Sequence, residues 1–178
     1  MKPDQELIAL ANEKDEITGY AEKLEVHKIG LLHRAFSIFV LNNNNELLLQ
    51  RRSLSKYHSG GLWTNTCCSH MFRDEDFNNS IHRRLIEEMG FDCELEYAFK
   101  LRYSVAFKNG LFENELDHIY IGHFNANPKP NSMEVCEWKW VSLDDLRKDI
   151  SLNEDIYTFW FKLAFKGLLC HLELPIES

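Results

Sequence analysis

Apolar residues recur along this chain with two different periods, and the switches between them mark its elements. Over 34–41 the run Arg-Ala-Phe-Ser-Ile-Phe-Val-Leu is β-rich and alternates in part, which predicts a strand. Asn42 to Asn45 supply turn chemistry, and Glu46-Leu-Leu-Leu-Gln-Arg returns as the second arm of a hairpin. Ser53 to Gly61 reads as a loop closed by Gly60-Gly61, and Trp63 to Cys68 as a short extended segment. From Asp74 to Met89 the period becomes helical, with an acidic first turn and Gly90 as the stop. Cys93 to Ala106, Glu113 to Phe124 and Val135 to Val141 read as strands, with Asn109-Gly110 as the turn between the first two. Ser142-Leu-Asp-Asp145 resembles a capping box and opens a short helix. Glu154 to Leu172 predicts a longer, aromatic-rich helix. With no linker and no internal repeat, the pattern predicts one α/β domain over 1–178, its core about 19–172, with a mixed sheet and flanking helices.

Composition narrows the partners. The 178 residues are enough to bury roughly two-thirds of the unfolded surface in a single domain. A net charge of −8 argues against a nucleic-acid binder, although a local cluster of cations and metal can still receive an anionic substrate. The polar start Met-Lys-Pro-Asp-Gln-Glu has no signal-peptide core, and no apolar run approaches the ~18 residues of a membrane span. Five cysteines, at 67, 68, 93, 136 and 170, form no disulfide framework. Reduced thiols and a cytoplasmic setting are expected.

Chemistry concentrates in two stretches. His33 stands just before the first predicted strand, Cys67, Cys68 and His70 stand together further on, and Glu113-Asn-Glu115 follows some forty residues later. Thiol, imidazole and carboxylate together suit a metal site beside a proton-transfer site. On an extended strand Glu113 and Glu115 point to the same face. In the predicted helix, Phe77, Ile81, Leu85 and Glu88 share one buried stripe, whereas Glu87 falls beneath Arg83 on the other side. A carboxylate on an apolar stripe must be paired or bind a cation. Glu88 therefore has two readings, a buried pair with Arg84 or a metal ligand.

The segment resembles a degenerate Nudix box, G-x5-E-x7-R-E-U-x-E-E-x-G-U, with U apolar. Glu75, Arg83, Leu85, Glu87, Glu88, Gly90 and Phe91 stand at the expected offsets, while Ser69 and Arg84 replace the first glycine and one glutamate. The rest resembles type I isopentenyl-diphosphate isomerase, a branch of that superfamily. The resemblance lies in Leu32-His-Arg-Ala-Phe-Ser-Ile-Phe, Gln50-Arg-Arg-Ser-Leu-Ser-Lys, Gly61-Leu-Trp-Thr-Asn-Thr-Cys-Cys-Ser-His and Phe112-Glu-Asn-Glu, and runs from about Gly19 to Trp160. It implies a Nudix-like mixed β-sheet sandwiched by helices.

The resemblance also implies roles. Cys68 is the catalytic thiol, with Cys67 the alternative if the register slips, and Glu115 is its partner across an apolar pocket. Tyr103 hydrogen-bonds near Glu115. Trp160 closes the pocket and stabilises a carbocation. His27, His33, His70, Glu113 and Glu115 ligate a divalent ion, Mn²⁺, Zn²⁺ or Mg²⁺, with His27 placed by the Lys23-x3-His27 spacing. Lys23, Arg52, Lys56 and Arg84 bind the diphosphate, and Mg²⁺ bridges it to Glu88. Arg51 alternates to the opposite face. His58, His82, His118, His123 and His171 match no ligand position and read as structural or solvated. The implied activity interconverts isopentenyl and dimethylallyl diphosphate in a monomer acting on a small diphosphate, with no nucleic acid or membrane partner. A Nudix hydrolase of a nucleoside or other diphosphate is the alternative. A silent metal- or diphosphate-binding protein of the same fold is a third reading, but it needs a missing catalytic group, and none is missing.

Overall fold

The computed structural model describes residues 7–173, so the polar start lies outside the described residues. Its organising element is a strand buried on both faces, β3 (His33–Leu41) in chain order. Before it come β1 (Leu7–Ala11), β2 (Ile17–Glu22) and the short helix α1 (Lys23–Ile29). After it come β4 (Glu46–Arg52), β5 (Trp63–Thr64), β6 (Cys67–His70), α2 (Phe77–Met89), β7 (Leu95–Ala106), β8 (Phe112–His123), β9 (Val135–Ser142), α3 (Leu143–Leu152) and α4 (Phe159–His171).

Along one edge of β3 runs β8 in parallel, from His33↔Glu115 to Leu41↔His123. The other edge is shared in succession by β1 at His33, β6 at Ala35 to Ile38, and β4 at Leu41. β4 and β6 therefore diverge, and the mixed sheet opens between them. Thr66 holds that opening, accepting from the Val40 amide (2.9 Å) and donating to the Leu48 carbonyl (2.7 Å).

Strand alternation sends the apolar residues to two cores. Phe39, Leu41, Leu47, Leu49 and Ile119 pack beneath α4, against Phe161, Ala164, Phe165 and Leu168. Phe36, Ile38, Val40 and Leu48 pack on the other face against Ile81, Leu85 and Met89 of α2. A sheet between helices in one α+β domain is the expected architecture. The helix predicted over Glu154 to Leu172 is corrected: Glu154–Ile156 is a 3-10 turn, and α4 starts only at Phe159. Tyr157 is extended there and bridges Trp63, and the Thr158 amide is spent on the Trp63 carbonyl, so the backbone serves the sheet before it can enter the helix. α2 likewise starts at Phe77, later than predicted, because Asp76 is extended and caps the Asn79 amide. Ser142 caps α3 as its sequence suggested.

Gly90 ends α2 with φ 74°, in the left-handed region. The chain beyond folds back on this end: the Lys129 and Asn131 amides donate to the Met89 and Glu88 carbonyls. A Cβ on Gly90 would lie 2.2 Å from the Lys129 carbonyl oxygen, whereas one on Gly110 (φ 80°) meets nothing within 4 Å. Gly110→Ala should therefore cost only the backbone term, about 1–2 kcal/mol. Gly90→Ala should cost clearly more in urea unfolding, and equal losses would show that the returning chain yields.

Candidate active site

β8 lays three carboxylates, Glu113, Glu115 and Asp117, on one face, and all three are buried. Parallel pairing sets His33 beside Glu115. Antiparallel pairing sets His70 opposite Ala35, Cys68 opposite Ser37 and Tyr103 opposite Glu115. Directly paired residues share a face, so these side chains converge. Cys67 points the other way and is buried under α2, while Cys68 lines the cavity. Period-two geometry thus separates the adjacent thiols.

Three imidazoles close around the carboxylates. His27, delivered by α1, has Nε2 at 3.1 Å from Glu113 Oε2; His33 Nε2 is 3.6 Å from that oxygen and 3.4 Å from Glu115 Oε1; His70 Nε2 is 3.0 Å from Glu115 Oε1. Nδ1 of His27 faces the Lys23 carbonyl (2.6 Å) and Nδ1 of His33 the Leu31 carbonyl (2.8 Å). Those carbonyls accept from Nδ1–H, which turns the Nε2 lone pairs inward. Lone pairs then face lone pairs: His27 Nε2, His33 Nε2 and Glu113 Oε2 are buried and make no hydrogen bond among the described residues. Leaving buried acceptors unsatisfied is costly. One donor atom from each of His27, His33, His70, Glu113 and Glu115 lies within 4.8 Å of all the others, so this cluster could hold a metal ion. The donor set and its orphaned atoms fit one. His27, placed by spacing alone, is fully buried in it.

The protein's own charges already separate the protonation states. Burial opposes ionisation of Glu113, but His27, His33 and His58 outweigh it and hold the carboxyl well below its usual range. Burial and then the Glu113 charge push Glu115 up to about 7. Burial resists a charge on His33, yet with no ion between them the adjacent Glu113 and Glu115 carboxylates would carry it up to about 10. His70 is pushed well down by burial and by His33. Tyr103 donates its hydroxyl to Glu115 Oε2 at 2.5 Å, and burial first, then Glu115, keeps that phenol protonated. Burial drives the Cys68 thiol up to about 12, with Arg52 only partly opposing. The sulfur therefore keeps its proton.

At the other end of the cavity the cations gather. Lys23, Arg52, Lys56 and Arg84 line it together with Glu88, Trp160, Cys68 and Glu115. Arg84 is engaged by Glu87 (2.8 Å), Glu88 and Glu134 (3.4 Å), and Lys56 also pairs with Glu134. Both readings of Glu88 thus meet at one group: it pairs with Arg84 and still lines the cavity. Gln50 reaches it through the opening in the sheet, donating to Glu88 Oε2 at 2.8 Å. Trp160 is fixed by Nε1 donating to Thr64 Oγ1 (3.1 Å), and Arg52 lies 5.2 Å from its ring centroid. Arg51 turns away to Glu137. Of the other histidines, His82 pairs with Asp92 and His118 with Asp15, away from the cavity. His58 is not solvated: it is buried, lines the cavity and meets Glu113.

Comparison with known proteins agrees with this geometry. A NUDIX domain model matches residues 31–161. Isopentenyl-diphosphate Delta-isomerase 2 of Photorhabdus laumondii is 47% identical over 163 residues, covering 92% of each chain. Isopentenyl-diphosphate Delta-isomerase 1 of Aromatoleum aromaticum is 44% identical over 165 residues, covering 93% of each. The chain belongs to the isopentenyl-diphosphate Delta-isomerase family, with a Nudix domain. Among solved structures, a Deinococcus radiodurans protein shares the fold at a TM-score of 0.69 and 17% identity, over 83% of this chain and 90% of its own. Of the six residues expected to bind metal, His27, His33, His70, Glu113 and Glu115 meet in one cluster, while Glu88 lines the cavity with the residues expected to be catalytic and phosphate-binding.

Loading with Zn²⁺ or Mn²⁺ and elemental analysis should give about one ion per chain at this cluster. His70→Ala and Glu113→Ala should lose it, whereas His82→Ala should keep it. Full occupancy in both cluster variants would place the ion elsewhere.

Proposed function

We infer that this chain interconverts isopentenyl and dimethylallyl diphosphate by adding a proton to one carbon and removing one from another, through a tertiary carbocation. The reading rests on one observation above all: the thiol of Cys68 and the carboxyl group of Glu115 line the same cavity. Protonation of the double bond consumes its π pair to form the new C–H bond and leaves the tertiary cation. Loss of a proton from the neighbouring carbon returns a pair to form the new double bond. Cys68 and Glu115 exchange the roles of acid and base between the two directions, so each must be able to hold and release a proton. Tyr103 orients Glu115 through its donated hydrogen bond. Trp160 offers its π-face to the cation and walls the pocket against water.

Lys23, Arg52, Lys56 and Arg84 supply the positive field for the diphosphate. A divalent ion on His27, His33, His70, Glu113 and Glu115, which we take to be Mn²⁺, Zn²⁺ or Mg²⁺, would favour the carboxylate form of Glu115, and Glu88 would receive the Mg²⁺ that accompanies the diphosphate. Five free thiols support a cytoplasmic enzyme, and no described helix is long and apolar enough to cross a membrane. We take the enzyme to act as a monomer on its small substrate.

Purified protein incubated with isopentenyl diphosphate and Mg²⁺ should yield dimethylallyl diphosphate without phosphate release. Phosphate release without isomer would instead favour the hydrolase. Cys68→Ala should remove nearly all turnover, while Cys67→Ala, on the α2 side of the strand, should keep most of it. Comparable rates in the two variants would overturn the thiol assignment. Trp160→Leu keeps apolar volume without a π-face and should lose roughly thirtyfold in rate, equivalent to about 2 kcal/mol. Trp160→Phe should lose less, and equal rates in the two would make Trp160 a packing residue only.

A further inference from the structure

We propose that His58 is a positioning residue for Glu113, aiming its second oxygen into the imidazole cluster and tying that cluster to the loop that bears the phosphate-binding cations. The inference rests on the metal-site reading above. His58 Nε2 is 2.8 Å from Glu113 Oε1, while Glu113 Oε2 is the oxygen turned toward His27 and His33. One oxygen is thus held from outside the cluster and the other is left to it. The His58 ring is clamped between neighbours. It stacks on Phe107 at 4.9 Å and 11° and meets Trp160 edge-on at 5.7 Å. Ser59 Oγ lies 3.4 Å from Nδ1, so a hydroxyl donated there would leave Nε2–H to serve Glu113.

His58 sits on a loop that is itself anchored. Arg52 donates to the His58 carbonyl (3.3 Å), and Asn109 of the β7–β8 turn donates to the Tyr57 carbonyl (3.0 Å). Ser59 (φ 52°) and Gly61 (φ 78°) adopt left-handed conformations that fold the loop inward. Arg52 and Lys56 frame the same loop, so the group that sets Glu113 is tied to the cations that line the cavity.

Outer partners of metal ligands commonly tune affinity by 10–100-fold. Zinc affinity, measured by competition with a chromophoric chelator, should fall at least tenfold in His58→Phe, which keeps an aromatic ring but cannot donate. His58→Gln, which restores a donor, should stay within about threefold of wild type. Unchanged thermal midpoints would exclude a general loss of fold. Should His58→Phe fold poorly, His58→Leu against His58→Gln makes the same comparison. His27→Ala is the control for the site itself. If it loses zinc while His58→Phe binds as tightly as wild type, the role of His58 is overturned and the metal site stands. If His27→Ala also binds zinc normally, both fall.

Discussion

Three carboxylates projecting from one face of a buried strand are the constraint to which the rest of the site responds. Glu113, Glu115 and Asp117 stand two residues apart on β8, and period-two geometry gives them no choice but to face the same interior. Three adjacent negative charges cannot persist in a medium of low dielectric. Each is settled differently. Glu113 is ionised and surrounded by imidazoles. Asp117 is pushed well up by burial and by Glu115, and takes a hydrogen bond from Ser37 (2.9 Å). Glu115 lies between these extremes and shares Oε2 with Tyr103. It is the middle carboxylate that occupies the intermediate position.

The second constraint is the opening in the sheet. Were β4 paired with β3 along its length, α2 would be sealed from the opposite face. Because β6 takes that edge instead, Gln50 can reach through to Glu88, and Glu88 lines the same cavity as Cys68. The other Nudix-box glutamates are committed elsewhere. Glu75 takes Arg83 through two bonds (2.6 and 2.9 Å), and Glu87 takes both Arg83 and Arg84. Of the three Nudix-box glutamates, only Glu88 faces the cavity.

Much of this was legible in the sequence because it rests on local geometry. The same-face placement of Glu113 and Glu115 followed from strand periodicity, and the buried stripe of α2 from helical periodicity. Carried one step further, the strand rule reaches Asp117, which the sequence reading passed over. The first strands and α1 were missed for a physical reason: β1 carries an irregularity at Leu10/Ala11, β2 is largely exposed, and α1 spans only seven residues. None of these displays a period long enough to detect. His58 lies among turn residues whose backbone angles, set by the loop's own anchors, decide where its ring goes. Glu134, which pairs with both Lys56 and Arg84, comes from a segment pinned to the end of α2. No periodicity reports such contacts.

The replacement of a Nudix-box glutamate by Arg84 links these features. A glutamate at 84 would add negative charge beside Glu87, Glu88 and Glu134, a collection that only further metal could stabilise. Arginine makes the same place a cationic wall. Its guanidinium takes Glu87, Glu88 and Glu134 in the described structure, and burial does not remove its charge. A diphosphate entering the cavity would compete with those carboxylates for Arg84 and Lys56, and Glu134 is the carboxylate both cations share. Retaining the diphosphate through turnover needs fixed cations more than it needs a metal-activated water. The substitution that weakens the hydrolase reading is therefore the one that suits a reaction in which the phosphate groups leave unchanged.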